Sequence, residues 1–89
     1  MPRVVFTGNL QRHVSCPPCQ VPGGTVKEAL DGAFALYPKA RGYVLDERGE
    51  LRFHMAVFVD GSPVVDRKSL GDPVDRDAEV FVMQALSGG

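Results

Sequence analysis

The sequence predicts an α+β domain, in which one main helix packs on one face of a mixed sheet of about four to five strands. Three observations carry that expectation. Thr25-Val26-Lys27-Glu28 opens a run whose apolar residues recur at helical spacing. On either side lie short runs rich in Val and Phe, bounded by Gly, Pro and Asp turns. A helix with a single apolar stripe must cover something, and the flanking strands offer a sheet.

Val4-Val5-Phe6 with Thr7 forms a first strand, rich in β-branched and aromatic residues. Gly8-Asn9 signals a turn, although Leu10 and Val14 leave a continuation of the strand open. Cys16-Pro17-Pro18-Cys19 and Val21-Pro22-Gly23-Gly24 follow. Proline has no N–H to give to a ladder, so a second strand here has to be short and at an edge.

The helix is the most strongly marked element. Thr25 and Glu28 have capping-box spacing: the Thr25 hydroxyl accepts from the Glu28 N–H while the Glu28 carboxylate reaches back. Val26, Ala29, Leu30, Ala33, Phe34 and Tyr37 then fall on one face. Pro38 cannot continue that helix. Residues 41–45 are expected to be irregular, and Asp46-Glu47-Arg48-Gly49-Glu50 is a polar turn. Leu51 to Val59 is expected as one strand, ended by the hairpin signal Asp60-Gly61. Pro63-Val64-Val65 is a short return, residues 70–74 are loop-like, and Glu79 to Leu86 is the last strand. The expected order is β-β-α-β-(β)-β, with residues 1–86 as the folded body and Ser87-Gly88-Gly89 as a flexible tail.

Bulk properties exclude several classes of function. The chain has 89 residues, 44% of them apolar, which suits one small core. Ten basic and eleven acidic residues are mixed along it, so no basic stripe is available for phosphates and nucleic-acid binding is not expected. The longest wholly apolar run, Met55 to Val59, is far below the ~18–20 residues of a membrane span. The start leads directly into a strand pattern with no signal-peptide layout, so a cytoplasmic protein with cysteine thiols is expected. No nucleophile–base pair or phosphate-binding loop is evident, which points away from an enzyme.

Gly88-Gly89 follows a strand pattern with only Ser87 between. Without a Cβ, such an end is thin and unhindered at its carboxylate, as a group that must enter another protein's active site has to be. The bland reading is a frayed terminus. No helix follows the pair, so it cannot be a phosphate-binding loop.

Several pieces in this order resemble a known family: Thr25-Val-Lys-Glu-Ala-Leu30 opening the helix, Tyr37-Pro38 closing it, and Val44-Leu-Asp-Glu-Arg-Gly-Glu-Leu51. Val57-Phe-Val-Asp-Gly61, Asp77-Ala-Glu-Val80 and the terminal Gly88-Gly89 complete the set. Together they make nearly the whole chain similar to the ubiquitin-like sulfur carriers of the MoaD/ThiS family, which have a β-grasp fold. The resemblance implies that the Gly89 carboxylate is adenylated by an E1-like enzyme of the MoeB/ThiF type, using ATP and magnesium. It is then converted to a thiocarboxylate by a sulfur donor, and its sulfur passes to an acceptor synthase in a molybdopterin- or thiamin-type pathway. The carrier itself binds no cofactor in that scheme. Alternatives are a ubiquitin-like adaptor whose tail stays inert, or a modifier conjugated to proteins through Gly89.

Two further groups of residues stand out. If Val57, Val80 and Val82 face the helix, then Phe58, Phe81 and Met83 face away and form a docking patch for a partner. A parity shifted by one residue would bury all three instead. Cys16 and Cys19 depart from the family pattern. His13, Cys16, Cys19 and His54 are the only His and Cys residues, so a four-ligand zinc site would have to use them all. A redox pair is the other chemical reading, but the helix starts too late to stabilise a thiolate. Incidental loop thiols are the third. Asp46, Glu47, Arg48, Arg67 and Lys68 are expected in solvated turns.

Overall fold

The computed structural model describes residues 1–12 and 14–84. Its elements are β1 (Arg3–Phe6), α1 (Gly8–Gln11), β2 (Cys19–Gln20), α2 (Val26–Leu36), α3 (Pro38–Val44), β3 (Met55–Val59), β4 (Ser62–Pro63) and β5 (Glu79–Gln84). The five strands form one sheet in the order β2-β1-β5-β3-β4. β1 and β5 run parallel and the other pairs antiparallel, so the sheet is mixed. The first long strand and the last are therefore neighbours at its centre.

α2 begins where the capping residues place it. Thr25 Oγ1 accepts from the Glu28 N–H at 3.2 Å, and the Glu28 carboxylate accepts from the Gly24 N–H at 2.7 Å. The return bond thus lands one residue before the N-cap. Val26, Ala29, Leu30, Ala33 and Phe34 are buried along one stripe, as their spacing requires. They meet Val4 and Phe6 of β1, Val57 of β3, and Val80 and Val82 of β5 in a single core. Phe6 sits at its centre, 6.3 Å from the Phe34 ring and edge-on to Tyr37 at 6.5 Å. At Gly32 the helix presses on the loop before it: a Cβ there would lie 2.9 Å from the Val21 Cβ.

Three expectations are corrected. Residues 41–44 are not irregular, because Pro38 stops α2 and also opens α3 from its first position, where its fixed φ suits a helix and its missing N–H costs nothing. Ala40 and Val44 then join the core. The strand expected over 51–59 begins only at Met55; Leu51 makes an isolated bridge with Leu45, and residues 52–54 form a turn. Gly8-Asn9 opens a single helical turn rather than a simple reversal, and it carries Leu10 into the core. The short edge strand after the prolines is present as β2.

Asp60-Gly61 makes the expected tight hairpin between β3 and β4, with φ of 49° and 87° at its two central residues. The turn is also tied to the last strand. The Asp60 N–H donates to Glu79 O at 3.0 Å, and the Glu79 N–H donates to Asp60 Oδ1 at 2.9 Å. β5 is followed to Gln84; Ala85 and Leu86, expected as its end, and the boundary before the 87–89 tail lie outside the described residues.

Candidate functional site

Strand alternation divides the central strands into two faces. Val57, Val80 and Val82 are buried toward the helices, whereas Phe58, Phe81 and Met83 are half-buried on the opposite face. The parity expected from the sequence is therefore the one observed. Register sets the outward residues in rows: Val5, Phe81, Phe58 and Pro63 are successive partners across four strands, and Ala56 stands opposite Met83. Directly opposed side chains lie close enough to form one surface. Phe58, Gly61, Glu79, Phe81 and Met83 line an open concavity of about 260 Å³ on that face. Gly61 on its rim has φ of 87°, a backbone conformation in which an L side chain would be strained although there is open space around it.

Met55 pairs with Gln84, so the start of β3 lies beside the point where the described part of β5 ends. Gly88 and Gly89 lie outside the described residues. The turn just before Met55 was missed by sequence reasoning. The Met55 N–H donates to Arg52 O at 2.9 Å, and Arg67 Nη2 donates to both Arg52 O and Met55 O at 2.8 Å. Arg67 is thus a half-buried clamp and not the solvated turn residue expected. Arg52 Nε in turn donates to Gly42 O of α3 at 2.9 Å. Held on this braced turn, Phe53 is 92% exposed, with its ring edge-on to His54 at 5.5 Å. A signal existed in the sequence: β-branched residues begin only at Val57, so strand propensity is weak over 52–54.

Asp46 accepts from the Glu50 and Arg48 N–H groups, and those bonds hold its carboxyl below the usual range, led by the bond from Glu50. Its turn is therefore polar as expected, but internally fastened.

Cys16 is buried and its Sγ lies 3.3 Å from Val14 O; Cys19 is half-buried in β2; both are free thiols. Burial pushes the Cys16 thiol up, and the neighbouring Cys19 adds to the shift; burial alone raises Cys19. The Tyr37 hydroxyl is raised too, first by burial and then by Cys19 and Cys16. A redox thiolate needs the opposite environment, electropositive and accessible. The zinc set is not assembled around His54. Cys19 on β2 is separated by β1 and β5 from the foot of β3, where His54 sits, and three strand spacings amount to about 14 Å. His13 lies outside the described residues. Among the described residues, no group of three or more His, Cys, Asp or Glu side chains converges on a metal position. Nor is any described helix long and apolar enough to cross a membrane.

A parallel pairing of first and last strands at the centre of a mixed sheet, crossed on one face by a capped helix, is the β-grasp architecture of ubiquitin-like proteins. Solved structures similar to it are small modifiers and carriers of the MoaD/ThiS type. The small archaeal modifier protein SAMP1 of Haloferax volcanii matches with a TM-score of 0.78 and 25% identity, over 99% of this chain and 98% of that one. CysO of Amycolatopsis orientalis, solved in a BexX/CysO complex, matches with a TM-score of 0.83 and 19% identity over 100% of both chains. CysO of Mycobacterium tuberculosis gives 0.82 and 17%, over 97% and 100%. No family model matches the sequence and no curated protein matches it significantly.

Proposed function

We propose that this chain is a sulfur carrier whose reacting group is the Gly89 carboxylate. The observation that carries the reading is the joining of two features. The β-grasp body is similar to carriers and modifiers and its central strand is described to Gln84, and Gly88-Gly89 stands within five residues of it in sequence.

The chemistry divides cleanly between carrier and partner. A carboxylate is a poor electrophile. An E1-like adenylyltransferase of the MoeB/ThiF type, with ATP and magnesium, joins a carboxylate oxygen to the α-phosphorus and expels pyrophosphate. The acyl adenylate is then open to a sulfur nucleophile from a donor, which displaces AMP and leaves a thiocarboxylate for an acceptor synthase. The activating groups belong to the partner, which binds where charge develops. The carrier supplies an unhindered glycine end and a body to recognise, with Phe58, Phe81 and Met83 as the apolar surface offered to that enzyme. Conjugation to other proteins through Gly89 is the second reading, favoured by the similarity to a protein named as a modifier.

Removing Gly88 and Gly89 tests the carrier reading. ATP–pyrophosphate exchange by the cognate E1-like enzyme is expected to disappear while Tm stays unchanged. Exchange as fast as with the full chain rules the reading out. In protein from the native host, the thiocarboxylate appears as a gain of about 16 Da on intact mass, the O-to-S replacement at the activated group.

A further inference from the structure

Resting on that carrier reading, we infer that Phe53 is a docking anchor for the activating enzyme, separate from the open sheet face. Gly89 lies five residues beyond Gln84, and five extended residues span at most about 18 Å. An enzyme that closes its active site around Gly89 must therefore bring its own surface to the end of the sheet where β5 is last described. Met55 is paired with Gln84 there, and β3 lies only about 4.8 Å from β5. The turn carrying Phe53 directly precedes Met55, so it stands at the mouth of whatever receives the tail.

The build of the turn also suits docking. An exposed phenylalanine on a loose loop loses entropy when it docks; one on a fixed backbone loses much less. Here three hydrogen bonds tie the turn shut and Arg52 ties it to α3. The ring nevertheless projects almost fully into solvent. Beside it, Asp46, Leu51, Arg52, Phe53 and His54 line an open concavity of about 330 Å³ that can take an apolar side chain from the enzyme's rim. A rigid aromatic next to a receptive hollow is the arrangement that concentrates binding energy at protein interfaces.

The experiment measures ATP–pyrophosphate exchange by the host's own E1-like adenylyltransferase as the carrier concentration is varied. Phe53→Ala is expected to raise KM about tenfold with kcat unchanged, and Phe53→Tyr to restore KM to within about threefold. Val65→Ala serves as control: that side chain is 90% exposed, but its N–H is bound to Asp72 beside the start of α2. An unchanged KM for Phe53→Ala overturns the inference, as does an equal rise for Val65→Ala. A lowered Tm for Phe53→Ala assigns the ring to folding and overturns it too. Exchange that persists after removal of Gly88 and Gly89 is a different failure: it removes the carrier reading, and this inference with it.

Discussion

The two faces of the central strands are made from alternate residues of the same short segments, yet they are built to different standards. On the inner face Val57, Val80 and Val82 are sealed against α2. On the outer face Phe58, Phe81 and Met83 are larger, and they are left half-covered around an open hollow. Small β-branched residues pack a thin core under a helix, while bulky aromatic and thioether side chains are the ones enriched at interfaces. The difference teaches that residue size, read along with parity, separates what folds this sheet from what it presents.

The largest expected effect comes from thinning the covered side. Leu30 is 1% exposed in α2, and Leu30→Ala is expected to cost about 2–5 kcal/mol by opening a cavity that so small a core cannot refill. Denaturant unfolding measures it, and a midpoint equal to wild type would mean that the helix does not cover this sheet. The next effect lies on the open side. Phe81→Asp is expected to leave circular dichroism unchanged but to weaken binding to the activating enzyme about 30-fold, or roughly 2 kcal/mol. A folded mutant that binds normally would take the patch out of docking.

The smallest effect sharpens the account of how the covering layer is seated. Asp66 accepts backbone N–H groups from Ser69 and Gly71, and these bonds, led by Ser69, hold its carboxyl below the usual range. The loop they shape delivers Leu70 O and Asp72 O to the N–H groups of Lys27 and Val26 at the start of α2. A carboxyl lowered in the folded state adds stability above its unfolded pKa of about 3.9, and that contribution is lost as pH falls through the folded value. The Tm advantage of the native protein over Asp66→Asn is therefore expected at pH 7 and should shrink as the pH drops below about 4. A gap of equal size at pH 3 and pH 7 would separate the loop's order from the charge of Asp66.

What the sequence made legible was whatever local pattern and tertiary need agreed upon. The α2 stripe, its Thr25 cap and the Asp60-Gly61 hairpin each have a residue-level cause within a few positions, and all three are present. So is the parity of Phe58, Phe81 and Met83, because two neighbouring strands impose it together. α3 was obscured because Pro38 carries two meanings, stop for one helix and start for the next, and Gly42 weakens the pattern between them. The turn at 52–54 was hidden because the guanidinium that makes it possible, Arg67, lies twelve to fifteen residues away. Phe53 went unnoticed for the same reason: in a strand running from Leu51 it would share a face with Val57 and point inward. For Cys16 and Cys19, spacing alone could not reveal that burial holds both as ordinary thiols.

The two outermost strands are two residues long each, and β4 spends one of them on Pro63, which has no N–H to offer. A second copy approaching either side would find room for barely a rung of ladder. Among the described residues the sheet has five strands, and its short sides disfavour growth into a fibre by edge-on addition. The half-covered side chains of Phe58, Phe81 and Met83 thus meet solvent on a sheet whose sides give a second copy little backbone to pair with in the direction in which sheets polymerise.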